Sequence, residues 1–349
     1  MRNRCVLVGL LALCGCSDLP EVIWRGELLD YAASPAASAK LCAGTPPRLD
    51  AAAVSIASRL EILDPERMTY YWVPEGLDAT ACDPRVSAGC ATQGEAFAVA
   101  PFVPHEIVHV YARAHGRAAP FAEEGLAEYL GGTDSATSVG DPTMLYGHQR
   151  QLFDPSYYPA AGRFVAGVVA LSSLPRFMAF YRDSDYDDDA ESFEYKLNRH
   201  TDVDPAEVAA LHRDEASCGS RAYREAPVAC GHVPIPVEPT IRVGTRLEVL
   251  MECGMQTVWG VEGWLNVERT LEVGDRRQFS AILGPGTSAL ITPCKPGCAA
   301  GDTLTLEPIE DDPDDPDDPA GQKVELEPGR YALRLVRSEP GVASIEFVF

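Results

Sequence analysis

Two histidines and a glutamate, in the run Pro104-His105-Glu106-Ile107-Val108-His109, are the residues whose types and spacing could do chemistry. Four apart on a helix, His105 and His109 project one turn apart from the same face, so both imidazoles can hold one metal ion. Glu106 stands beside them, placed to take a proton from an attacking water. The flanks favour a helix: Pro104 suits a first turn, no breaker intervenes up to Ala114, and Gly116 suits the stop. Two histidines leave a catalytic zinc site incomplete, because such sites usually carry three protein ligands and one open position.

The next segment, Phe121-Ala122-Glu123-Glu124-Gly125-Leu126-Ala127-Glu128-Tyr129, reads as a second helix opened by Pro120 and closed by Gly131-Gly132. Here the chain resembles the gluzincin metallopeptidases, the group of thermolysin-like enzymes and related aminopeptidases whose second helix carries a segment similar to E-G-L-A-E-Y. The resemblance implies Zn2+ as cofactor, Glu124 as third ligand, and Glu128 as the acid that orients a ligating histidine through its other ring nitrogen. It further implies peptide hydrolysis, with Glu106 passing the proton of water to the leaving amine. Position 123 is Glu where the family commonly has Asn, and the gap from His109 to Glu124 is shorter than in its best-known members. Ligation by Glu128 in place of Glu124 stays open. A tyrosine that hydrogen-bonds the developing oxyanion is also implied: Tyr158, in Tyr158-Pro159-Ala160-Ala161-Gly162-Arg163-Phe164, is the first choice and Tyr157 the second. The strand expected at Glu95 to Ala100 corresponds to the family's edge strand, which aligns an extended peptide by backbone pairing. A competing pattern runs from His105 to His115 with metzincin spacing, but Ala112 stands where a glycine would turn the chain back to the metal. His115 is then expected as an exposed residue near a helix end.

The elements that must position these residues follow from periodicity. Val22 to Tyr31 reads as a strand, Leu49 to Leu63 as a helix, Met68 to Val73 as a strand, and Gly162 to Tyr181 as helical with a break near Pro175. Beyond the Pro-rich stretch Val233 to Val237 the texture changes to short β-type runs between Gly and Pro turns, the spacing of a β-sandwich. The expectation is an α+β chain: signal peptide 1–15, tether and lead-in segment 16–40, metallopeptidase domain 41–232, and an all-β sandwich domain 233–349. The acidic run Asp183 to Glu194 mimics calcium-loop spacing, but Asp188 replaces the turn glycine, so a solvated loop capping a helix is expected. The Asp-Pro repeat from Asp311 to Pro319 reads as a solvated loop, with calcium binding as its rival.

Composition narrows the partners. A formal net charge of −23 repels phosphate backbones, which argues against nucleic acid. Arg2 and Arg4 precede an apolar stretch from Val6 to Leu13, too short to span about 30 Å of hydrocarbon. That stretch ends in Leu13-Cys14-Gly15-Cys16, which resembles a bacterial lipobox with Cys16 as the lipidated residue. The implied location is the cell envelope, tethered to a membrane by lipid, or secreted if the cysteine is not lipidated. Of eleven cysteines, eight lie beyond Cys16, an even number that suits disulfides in an exported protein. Cys82 with Cys90 and Cys218 with Cys230 are the local pairs expected. The functional expectation is an exported zinc peptidase acting on peptides or proteins; the alternative is a surface lipoprotein that binds or supports and keeps the fold without turnover.

Overall fold

The computed structural model describes residues 19–77, 80, 82, 88–132, 143, 155–214, 229–231, 234–237, 245–275, 277–295, 303–307 and 321–348. Cys16, Cys218 and the Asp-Pro repeat lie outside them.

A five-stranded sheet opens the described chain, made of β1 (Val22–Arg25), β2 (Leu29–Ala33), β3 (Met68–Trp72), β4 (Gly89–Thr92) and β5 (Glu95–Ala98). Its order is β1-β2-β3-β5-β4. β2, β3 and β5 run parallel, and β1 and β4 close the two sides antiparallel. The single leading strand expected at Val22 to Tyr31 is therefore a two-strand unit. Its second strand pairs with β3 and buries Tyr31 within the sheet. In β3 the sequence Met-Thr-Tyr-Tyr-Trp alternates buried and half-buried, the period of a strand with one face on the core.

α1 (Pro35–Ser38) and α2 (Thr45–Arg59) separate β2 from β3. After β5 come α3 (Pro104–Ala112), α4 (Pro120–Gly131), α5 (Tyr158–Leu171), α6 (Leu174–Asp183), α7 (Ala190–Thr201) and α8 (Pro205–Asp214). One apolar core joins Leu49 and Ile56 of α2, Tyr31 and Tyr70 of the sheet, Ile107 and Val108 of α3, and Phe121, Phe164 and Phe193 of the later helices. The break near Pro175 is the join between α5 and α6, where Ser173 caps the new helix by accepting from the Arg176 amide. At α7 the cap is Asp189, whose carboxylate accepts from the Ser192 amide. Asp188 meanwhile takes bonds from Ser184 Oγ and Lys196 Nζ, so the acidic run spends these carboxylates on its own loop and helix.

From Pro234 on, the last third of the chain, the described elements are all β. One sheet has the order β13-β10-β15-β7 and the other β12-β11-β14-β9-β6, with β8 pairing on β9. The strands are β6 (Pro234–Val237), β7 (Thr245–Met251), β8 (Trp259–Val261), β9 (Trp264–Val273), β10 (Arg277–Leu283), β11 (Ser288–Pro293), β12 (Leu304–Leu306), β13 (Gln322–Leu326), β14 (Gly329–Arg337) and β15 (Gly341–Val348). Both sheets contribute to one core, from Val249, Phe279 and Phe347 on one side and Val267, Ile291 and Leu333 on the other. The Pro-rich stretch expected as a junction is itself strand β6, parallel to β9. Prolines two apart place both missing amides on the same side of a strand, which leaves the opposite side free to pair.

Residues 41 to 48 tie α2 to the C-terminal β strands. Cys42 is bonded to Cys253, Leu41 bridges Val261, and Thr45 Oγ1 both donates to the Gly260 carbonyl and accepts from its amide. Arg48 pairs with buried Glu268 and lies over the Trp259 ring. A disulfide closing a loop of 211 residues constrains the unfolded chain strongly. The Cys42→Ser, Cys253→Ser double variant is expected to lose about 3–5 kcal/mol of stability in urea unfolding; an unchanged midpoint would show that the surrounding polar contacts hold the join alone.

Candidate metal centre

α3 enters the core from a clamped loop. Three successive backbone carbonyls, Val99, Ala100 and Pro101, accept from Trp72 Nε1 at 3.1 Å, Tyr70 OH at 2.8 Å and Tyr31 OH at 2.9 Å. The donors sit on the parallel neighbours β2 and β3, with Tyr31 directly opposite Tyr70 in the register. Sequence reasoning missed this clamp; its one signal was an aromatic density in β3 beyond what a half-buried strand requires. Pro104 opens the nine-residue helix, which passes into a tight turn at Arg113–His115 and ends where Gly116 takes φ +102°.

α4 crosses close to α3. A side chain at Gly131 would lie 2.6 Å from the His105 amide nitrogen, so glycine there permits the approach of the two backbones. α5 packs on α4 in the same way: a Cβ at Gly162 would meet the Glu128 side chain at 2.5 Å.

These crossings gather three donor atoms. His105 Nε2 lies 3.1 Å from Glu124 Oε2 and 3.1 Å from His109 Nε2, and His109 Nε2 lies 3.3 Å from Glu124 Oε2. His105, His109 and Glu124 form the one group among the described residues able to hold a metal ion in this way. The donors of a tetrahedral zinc with bonds of about 2.0–2.1 Å are separated by about 3.4 Å, close to the observed triangle. Two imidazole nitrogens aimed at each other would set lone pair against lone pair unless a cation or a proton lies between them, so the donor set fits zinc. His105 is almost wholly buried at 3% side-chain exposure, whereas His109 and Glu124 keep 14% and 18%, so the triangle opens on their side.

The electrostatics ask for positive charge. Burial alone would push His105 down, yet the Glu124, Glu128 and Glu106 carboxylates raise it to about 10. Burial would raise Glu124, but His109 and His105 hold it well below the usual carboxylate range. Glu106 is pushed up by burial, against the pull of His105 and His109.

Glu128 is buried, with Oε2 3.6 Å from His105 Nδ1, a ring nitrogen with no hydrogen-bond partner among the described residues. It thus faces the far side of the ring from Glu124, which answers on geometry which acid meets the two Nε2 atoms. Tyr158, at the start of α5, lies against the His105 ring with centroids 5.3 Å apart and planes 14° from parallel. Burial, then Glu124 and Glu106, raise its hydroxyl far above the ordinary phenol range, so it stays a proton-bearing donor. Tyr157 packs on the core instead. His115 is half-buried rather than exposed and hydrogen-bonds the Leu60 carbonyl at 2.9 Å, away from the donor triangle.

The edge strand requires a correction. Glu95 to Ala98 pairs on both sides, with β3 and with β4, so it has no free edge; β4 is the outer strand. Gly89 and Ala91 are weak strand formers, which hid β4 from periodicity. Of the disulfides, Cys82–Cys90 is present as expected, but Cys230 pairs with Cys294 rather than Cys218.

No family model and no curated protein matches this chain. Among solved structures it is similar to aminopeptidase A of Legionella pneumophila in complex with aspartic acid, at 10% identity and a TM-score of 0.34. The match covers 88% of this chain and 33% of that one, so the chain spans about a third of that protein's length.

Proposed function

We propose that this chain is a zinc-dependent peptidase of gluzincin type, with His105, His109 and Glu124 holding the metal. The observation that carries the reading is the triangle of His105, His109 and Glu124 donor atoms, with the buried Glu106 on the same helix as both histidines. Zinc held there would act as a Lewis acid on the scissile carbonyl and lower the pKa of water toward about 7. Glu106 takes the proton of the attacking water and delivers it to the leaving amine; its upward shift brings it nearer the working pH, where a carboxylate exchanges a proton most readily. Tyr158 donates a hydrogen bond to the oxyanion as it develops, and Glu128 orients the His105 ring. An extended peptide pairs along the outer side of β4.

The reading extends to place. An exported protein lipidated at Cys16 and held at the cell envelope suits the disulfides Cys42–Cys253, Cys82–Cys90 and Cys230–Cys294, which need an oxidising compartment.

Purified protein is expected to contain about one zinc per chain and to cleave members of a broad peptide library. Chelation should stop cleavage and zinc restore it. Folded protein that takes up no zinc would overturn the metal centre; zinc without cleavage would point to a binding lipoprotein that keeps the fold.

A further inference from the structure

Gly89 lies at the start of β4, where glycine weakens a strand for want of a side chain to pack. Its φ lies outside the left-handed region, so backbone conformation does not call for glycine. Space does: a Cβ at this position would lie 2.7 Å from Glu106 Oε1 and 3.0 Å from both Glu106 Cδ and Cγ. The bare backbone of β4 is thus a wall against one side of the carboxylate.

That wall is held from two directions. Gly89 is paired with Ala98 of β5, which is fully buried, and the next residue, Cys90, is bonded to Cys82. Strand and disulfide resist retreat, whereas a glutamate carboxylate is the free end of a flexible side chain. An added methyl group therefore displaces the carboxylate, not the strand.

We propose that Gly89 is a positioning residue for Glu106: it leaves the side-chain-free surface against which the carboxylate rests in its proton-accepting orientation. The role rests on the peptidase reading above, and it gives the outer strand a second task beside pairing with a peptide. It acts through Glu106, whose atoms are the three nearest to an added Cβ, so metal binding and proton transfer separate experimentally.

Gly89→Ala is the test. Turnover should fall by roughly 10–100-fold, the scale set by a misplacement of about 1 Å, with KM changed less than about threefold and zinc content the same as wild type. A crystal structure of Gly89→Ala should show the Glu106 side chain in a different rotamer with β4 in place. In the Glu106→Asp background, where the shorter acid leaves room for the methyl, Gly89→Ala should cost less than about threefold, a non-additivity that a general loosening of the strand would not produce. An unmoved carboxylate in the crystal, or the same loss in both backgrounds, would overturn the proposal. If wild-type protein cleaves no peptide, the peptidase reading fails by itself, and the crystal structure still decides whether Gly89 sets the carboxylate.

Discussion

Glu106→Gln is expected to lower peptide turnover by roughly 10²–10⁴-fold while leaving the metal bound. Glutamine keeps the shape and hydrogen-bonding reach of the glutamate but cannot take a proton from water. The three donor atoms of His105, His109 and Glu124 are untouched by the change, so the triangle that fits zinc persists. Glu106 is buried, with its carboxyl pushed up by that burial, so the substitution also removes a desolvated charge rather than creating one. Steady-state kinetics on a cleaved peptide, set beside metal analysis and circular dichroism of the same sample, read the two properties separately. Turnover within tenfold of wild type would remove Glu106 from the chemistry.

Glu124→Ala should act on the metal first. The substitution deletes the only carboxylate among the described residues that meets both Nε2 atoms, at 3.1 and 3.3 Å, and with it the charge that balances a cation in a buried site. Loss of an acid that only orients a ligating histidine costs about 10–100-fold in affinity; loss of a donor should exceed that range and abolish activity at ordinary zinc concentrations. Competition against a chromophoric chelator, with Glu128→Ala measured in parallel, ranks the two acids. Glu128→Ala is expected within the 10–100-fold range, because Glu128 faces Nδ1 of His105 rather than the donor triangle. The reverse ranking would make Glu128 the ligand and the observed triangle irrelevant to binding.

Much of this site is legible because it is local. His105 to His109 is one helical turn, and the segment from Pro120 to Gly132 carries its own start and stop in proline and glycine. Tyr158 depended on a resemblance extending beyond the two helices. The C-terminal β runs were visible for the same local reason: short runs between Gly and Pro turns beyond Val237 are strands, Ser288–Pro293 among them. Glycines at Gly89, Gly131 and Gly162 were read as turn or helix punctuation or passed over, since a sequence does not say which neighbour a missing side chain makes room for.

By itself the sequence determined the HExxH helix, the acid-bearing helix after it, the β strands of the last third, and the Cys82–Cys90 loop, because each is written in spacings of a few residues that local periodicity and loop closure translate directly into structure. Tertiary structure decided which acid meets the imidazoles, which strand is the outer one, that Tyr31, Tyr70 and Trp72 hold the loop before α3, and that Cys42 reaches Cys253 and Cys230 reaches Cys294. Those outcomes depend on the angle and distance at which whole elements pack. Packing is a sum over many side chains far apart in the chain, and no local spacing encodes it.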